Sequence, residues 1–209
     1  MKIFITVALI LASCLPAAFA ADPIDLLPPE NLQGWTRIPI PAISGVNPKV
    51  QWRVDAASKT LICAGDGGHE WLRYDKELSD FVLEADWRFA PKDGETRYNS
   101  GIGIRLSKMG EIWYQAQTGL AGAYLFGQNF ADGGLKSFNL KAQMKENRVK
   151  PAGEWNHFEI RCEGDRITLS VNGEVVSDLT GVGMRRGYIG LEAEGYEIAF
   201  RNLKLRVLP

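Results

Sequence analysis

The chain has 209 residues, with 24 Lys and Arg against 25 Asp and Glu, a formal net charge of −1 at neutral pH. That balance gives no electrostatic footprint for nucleic acid, and no basic run supplies one locally. Hydrophobic content of 45% and charged content of 23% are those of an ordinary globular protein with a core of useful size.

Lys2 precedes an apolar run from Ile3 to Leu15, and Ala18-Phe19-Ala20 follows as a small-x-small cleavage site. The run is too short to span a bilayer, so residues 1–20 are expected to be a signal peptide, and no other membrane span is expected. Leu11-Ala12-Ser13-Cys14 offers a second reading, a lipoprotein box with Cys14 as the lipidated residue. Either way the protein is expected to be exported, to the periplasm or beyond. Residues 21–209 then form one domain.

Residues 21–34 are proline-rich and polar and read as an extended lead-in. Trp35–Ile40 reads as a short strand that Pro39 confines to an edge, and Val50–Val54 and Thr60–Ala64 read as two more. Gly65-Asp66-Gly67-Gly68 is not a phosphate loop, since no Gly-Lys-Ser/Thr follows; it is expected to be a turn presenting His69, Glu70 and Trp71. Phe81–Phe89 alternates strictly, with Leu83, Ala85 and Trp87 on one side and Glu84, Asp86 and Arg88 on the other. Gly101–Leu106 sets Ile102, Ile104 and Leu106 against Gly101, Gly103 and Arg105, and Ile112–Gln117 sets Trp113, Gln115 and Gln117 against Tyr114 and Ala116.

The region 118–150 is glycine-rich, then basic, and is expected to form loops over the rim of a cleft. Trp155–Glu163 and Arg166–Val171 flank Gly164-Asp165 as a hairpin, Asn172-Gly173 turns into Glu174–Ser177, and Gly187–Glu194 and Glu197–Val207 close the chain. Many short strands, glycine turns and no amphipathic helix predict an all-β, antiparallel two-sheet sandwich. Its core is expected to contain Leu83, Trp87, Ile102, Ile104, Phe158, Ile160, Leu191 and Phe200. Cys63 and Cys162 lie in strands, as two buried thiols or as a disulfide of an exported protein. With only His69 and His157 as imidazoles and no Cys–His spacing, no zinc site is expected.

If the central strands are neighbours, Glu84, Asp86, Arg105, Trp113, Gln115 and Gln117 merge into one polar face. Amides and charges pair with hydroxyls and an indole stacks on a sugar ring, so the face suits a polyhydroxylated ligand. The competing reading is a solvated sheet whose charges pair across strands.

Several stretches, in order, resemble the 3-keto-disaccharide hydrolase family: Asp86-Trp87-Arg88, Asn99-Ser100-Gly101-Ile102 with Arg105, Gln115-Ala116-Gln117, Gly153-Glu154-Trp155-Asn156, Val171-Asn172-Gly173, Gly190-Leu191-Glu192-Ala193-Glu194-Gly195 and Phe200-Arg201-Asn202. The resemblance implies a concanavalin A-like jelly roll with the active face on its concave sheet. It also implies a substrate already oxidised to a ketone at C3 of a sugar, which a partner sugar 3-dehydrogenase would make. No cofactor is expected. This chain carries Gln115 where many members have Glu, and Glu192 where Gln is common.

A C3 ketone acidifies the C2 hydrogen, so a base removes it, the C1 substituent leaves, and water adds back. Base candidates are Glu84, Asp86, Glu192, Glu194 and His69, with Glu194 and Asp86 ranked first. Arg105 is expected to steady the enolate oxygen, with Gln115 and Gln117 as hydroxyl clamps. Two rivals share the fold. A glucanase needs a Glu-x-Asp-x-x-Glu strand, and Glu84-Ala85-Asp86 is followed by Phe89 instead. A binding module needs only stacking platforms, for which Trp71, Trp113 and Tyr124 are candidates.

Overall fold

The computed structural model describes residues 22–131 and 133–209; the signal-peptide and Cys14 expectations fall outside them. Among the described residues, fifteen strands make two antiparallel sheets that face each other as a jelly-roll sandwich. The first sheet holds β1 (Ile24–Asp25), β3 (Trp52–Asp55), β4 (Thr60–Cys63), β6 (Phe81–Phe89), β11 (Asn156–Glu163), β12 (Arg166–Val171), β13 (Glu174–Leu179) and β15 (Ile198–Val207). Its order is β13-β12-β11-β6-β15-β4-β3, with β1 laid against β15. The second holds β2 (Trp35–Pro39), β5 (Glu70–Tyr74), β7 (Ser100–Leu106), β8 (Tyr114–Thr118), β9 (Leu125–Ala131), β10 (Gly134–Asn139) and β14 (Tyr188–Ala193). Its order is β10-β9-β8-β7-β14-β5-β2, which leaves the proline-bearing β2 on an edge where a missing N–H costs nothing.

The alternation read from the sequence sets the core. Leu83, Trp87, Ile102, Ile104, Phe158, Ile160, Leu191 and Phe200 are all fully buried in one cluster. At roughly 1.5–3 kcal/mol per large side chain, a one-residue slip that traded them for charged neighbours would be prohibitive. Trp87 packs edge-on against Phe158 with centroids 5.3 Å apart. Cys63 and Cys162 are free and buried; they lie on β4 and β11, with β15 and β6 between them, so no disulfide joins them.

Two departures matter for function. The first concerns 118–150, expected to be loops, where β9 and β10 instead pair as a hairpin at the edge of the second sheet. Its glycines disguised it. Gly127 takes φ 145°, and a Cβ there would come within 2.3 Å of the Trp113 carbonyl oxygen.

The second departure is a bulge in β7. Leu106 pairs with Tyr188 and Gly103 with Gly190, so Ile104 and Arg105 together oppose the single residue Ile189. Arg105 takes φ 47°, and from there the alternation inverts. Leu106 turns to the outer face to join Ile38 and Trp71, while Arg105 turns in between the sheets and is fully buried.

Candidate functional site

The outer face of the second sheet carries a cluster built from β5, β7, β8 and β14. Glu192, on β14, points outward between its inward neighbours Leu191 and Ala193, yet only 4% of it is exposed because other side chains close over it. Gln115, on β8, donates from Nε2 to Glu192 Oε2 at 2.7 Å. Gly101 makes that reach possible, since a Cβ there would lie 2.1 Å from the Gln115 amide nitrogen. Gln115 fills the space over Gly101, and Leu106 fills the space over Gly103.

His69, ending the glycine turn, shares a hydrogen bond of 2.8 Å between its Nε2 and Glu192 Oε1. Glu194 lies just past the end of β14 and accepts from Asn99 Nδ2 at 2.6 Å, while Gln117 donates to Asn99 Oδ1. These groups line a cavity of about 260 Å³, on the scale of a single sugar ring. Trp113 and Phe126 form one wall, their rings 5.1 Å apart and nearly perpendicular, and Trp71 and Ile40 contribute on the opposite flank.

The electrostatics are unequal across the cluster. Burial pushes the Glu194 carboxyl above its ordinary value, and the negative charge of Glu192 pushes it further; His69 and Asn99 offset only part of this. The hydrogen bond to Glu192 raises the His69 imidazole against an opposing effect of burial, and both carboxylates add to the rise. Donor atoms of His69, Glu192 and Glu194 lie within 4.8 Å of one another, a spacing that a cation can bridge. However, His69 Nε2 and Glu192 Oε1 are spent on each other, and Gln115 and Asn99 occupy a further oxygen of each glutamate. As it stands, the set is a hydrogen-bonded network.

Of the residues expected from sequence, the structure brings together His69, Trp71, Trp113, Gln115, Gln117, Glu192 and Glu194. Tyr124 stands beside this group, its ring 5.9 Å from that of Phe126, without lining the cavity.

Three expectations need correction. Asp86 and Glu84 lie on β6, in the other sheet, and face away from the cavity because that strand's inward register is taken by Leu83, Ala85 and Trp87. Asp86 accepts hydrogen bonds from His157 Nδ1 at 2.8 Å, Asn202 Nδ2 at 2.7 Å and Arg201 Nε at 3.2 Å. Burial alone would push its carboxyl up, but these three partners outweigh it and hold it below the usual range, the opposite of what a base needs. Arg105, expected at the enolate, is committed elsewhere: it donates to the carbonyls of Ser79 and Gly164 and to Asp80 Oδ1. A larger hollow of about 720 Å³ lies on the outer face of the first sheet, where Arg88 and Arg201 stack on Trp155.

Sequence reasoning missed Asn99 and Phe126 as members of the site. Asn99 was legible, because it has the same parity as Gly101 and Gly103 and so shares their outward face. Phe126 was not, because the strand that aims it was itself hidden.

The family model of the 3-keto-alpha-glucoside-1,2-lyase-like domain matches residues 22–206. The chain belongs to that family. The lyase-like domain has the fold of several solved structures, all of low identity. A carbohydrate-binding module, CBM66 from Bacillus subtilis, superposes with a TM-score of 0.61 at 19% identity over 83% of this chain and 95% of that one. A candidate glycosyl hydrolase from Parabacteroides distasonis gives 0.60 at 16% identity, over 85% and 90%. A functionally unknown protein of Saccharomyces cerevisiae gives 0.54 at 13%, over 84% and 97%. No curated protein sequence matches the lyase-like domain. Its family membership ties it to carbohydrate chemistry.

Proposed function

We propose that the protein cleaves 3-keto-glycosides by eliminating the C1 substituent and then adding water. The observation that carries this is Glu194, a carboxylate with a raised pKa in a ring-sized cavity that it shares with Glu192, with amides and with aromatic rings. A base of intermediate strength suits a C–H acidified by a neighbouring ketone. Trp113 and Phe126 provide apolar surface for the C–H face of the sugar.

Glu194 removes the C2 hydrogen, and the negative charge moves to the C3 oxygen. With Arg105 withdrawn into the core, the donors for that oxygen are the half-buried amides of Gln117 and Asn99. Gln115 is nearly as buried as Glu192 and holds that carboxylate in place rather than gripping a hydroxyl. In this reading a sugar 3-dehydrogenase supplies the ketone, and the signal peptide sends the protein to the periplasm or beyond.

Incubation with a 3-keto-disaccharide and with the same disaccharide unoxidised tests the proposal. Turnover of the ketone alone, with solvent deuterium entering at C2, is the expected result. Tight binding of ordinary glycans without turnover of the ketone would instead make the protein a lectin-like binding module.

A further inference from the structure

The ring-sized cavity has a neighbour. A second hollow of about 450 Å³ lies between the 39–48 segment and the glycine turn at 67–68, and the two hollows share Ile40 and His69. Its walls differ in kind from the first. Ser44, Asn47, Gly67 and Gly68 present short polar side chains and backbone, with no aromatic platform. Such a surface offers hydrogen bonds to hydroxyl groups without demanding one ring orientation. The cleft as a whole therefore has one narrow, aromatic-walled compartment and one roomier, polar compartment.

Resting on the proposed function, we infer that the second hollow receives the leaving sugar and that His69 is the general acid that protonates the departing oxygen. A substrate that spans both compartments must carry its glycosidic oxygen past their junction, and His69 stands at that junction. One ring nitrogen, Nε2, is fixed by Glu192 at 2.8 Å, leaving Nδ1 without a partner among the described residues. Glu192 is itself buried and held by Gln115, so the imidazole is oriented by a carboxylate that cannot swing away. The same hydrogen bond favours the protonated imidazole, as an acid requires.

The protons balance around this pair. Glu194 takes the C2 proton, and the C2–H electron pair passes through the enolate to form the C1–C2 double bond. The C1–O bond breaks, its electrons stay on the leaving oxygen, and that oxygen takes the proton from His69 Nδ1. The neutral imidazole then accepts a proton from water as the water oxygen bonds to C1, and protonated Glu194 returns a proton to C2. Both groups end as they began, and the net reaction is hydrolysis. A ring nitrogen of His69 and a carboxylate oxygen of Glu194 lie within 4.8 Å of each other, which sets both groups beside one sugar ring.

Leaving-group dependence tests the assignment. The wild type and the His69→Ala and His69→Gln variants are assayed on a 3-keto-disaccharide and on a 4-nitrophenyl 3-keto-glycoside, whose phenolate departs without a proton. Loss of a positioned acid is expected to lower kcat/KM for the disaccharide by about 10²–10⁴-fold and for the nitrophenyl substrate by less than about tenfold. Equal losses on both substrates would overturn the acid role while leaving the proposed function standing. A wild type that turns over neither substrate would remove the function, and this inference with it. For the second hollow, Asn47→Trp is expected to raise the ratio of KM for the disaccharide to KM for a methyl 3-keto-glycoside. An unchanged ratio would place the leaving sugar elsewhere.

Discussion

Replacing Arg105 should unfold the protein before it affects chemistry, and the structure gives the size of the effect. The guanidinium is fully buried and makes four hydrogen bonds: Nε and Nη2 to the Ser79 carbonyl at 3.0 and 2.7 Å, Nη1 to the Gly164 carbonyl at 2.9 Å, and Nη2 to Asp80 Oδ1 at 3.0 Å. It thereby ties β7 of the second sheet to two turns of the first. Arg105→Met keeps most of the volume and removes every donor. Two carbonyls then lose a buried partner, at about 1–3 kcal/mol each. A broken buried ion pair costs about 3–5 kcal/mol, and the 30% exposure of the Asp80 side chain lets water recover part of that. A loss of at least about 3 kcal/mol follows, or at least about 6 °C in Tm for a domain of this size. Urea titration and a thermal scan measure it, and turnover per folded molecule should stay within about twofold of wild type. A variant that keeps its stability within about 1 kcal/mol but loses turnover would refute the reasoning and return Arg105 to the site.

Other outcomes follow from the same geometry. Glu194→Gln should abolish C2 deuterium exchange and lower kcat/KM on the 3-keto substrate by at least about 10²-fold, while the fold stays intact by circular dichroism. Since Glu194 must be deprotonated to act and its pKa is raised, the acid limb of kcat/KM should lie above 4.5, the ordinary glutamate value; a limb at or below it would exclude Glu194 as the base. Asp86→Asn should leave turnover intact and cost about 1–2 kcal/mol of stability at neutral pH, since it weakens hydrogen bonds to a partly buried carboxylate. The folded-state pKa of Asp86 is lowered, so its contribution is present above the unfolded value near 3.8 and disappears as pH falls through the folded value; the gap between variant and wild type should close in that acid range. Dialysis against a chelator should leave turnover unchanged, because His69 Nε2 is already bonded to Glu192, and Gln115 and Asn99 each already donate to a glutamate oxygen; loss restored by a divalent cation would make the cluster a metal centre. Burial pushes both thiols up to about 12, so Cys63 and Cys162 should react with a thiol reagent only after unfolding.

Period-two alternation is a statement about parity, and it was reliable wherever parity was the question. Eight core positions drawn from five strands all proved buried, and Gln115, Gln117, Glu192 and Trp113 took the face their parity demanded. Parity fails at a bulge, where one extra residue reverses every assignment after it. Arg105 sits at such a point with a positive φ that glycine, asparagine or aspartate adopts far more readily, so no turn residue marked it. Asp80, which ends up as its partner, lies 25 positions away, and nothing local couples the two.

Parity is also silent on which sheet a strand joins. Glu84 and Asp86 alternate as cleanly as Gln115 and Gln117, yet the two pairs point outward on opposite sides of the sandwich. What separates them is charge compensation. On the first sheet Asp86 is met by Arg201, His157 and Asn202, and Lys204 stands opposite Glu84 in register, so that face is the solvated, cross-paired sheet that one reading of the sequence described. On the second sheet Glu192 and Glu194 lie together, partly or wholly buried, with one imidazole and two amides as their hydrogen-bond partners and no Lys or Arg among the described residues lining the cavity. Two carboxylates held that way raise the cost of ionising one of them. A fold has no stability reason to keep such a pair beside a cavity walled by Trp113 and Phe126. The under-compensated face, not the more heavily charged one, is where a ligand's hydrogen bonds and a proton transfer have a use.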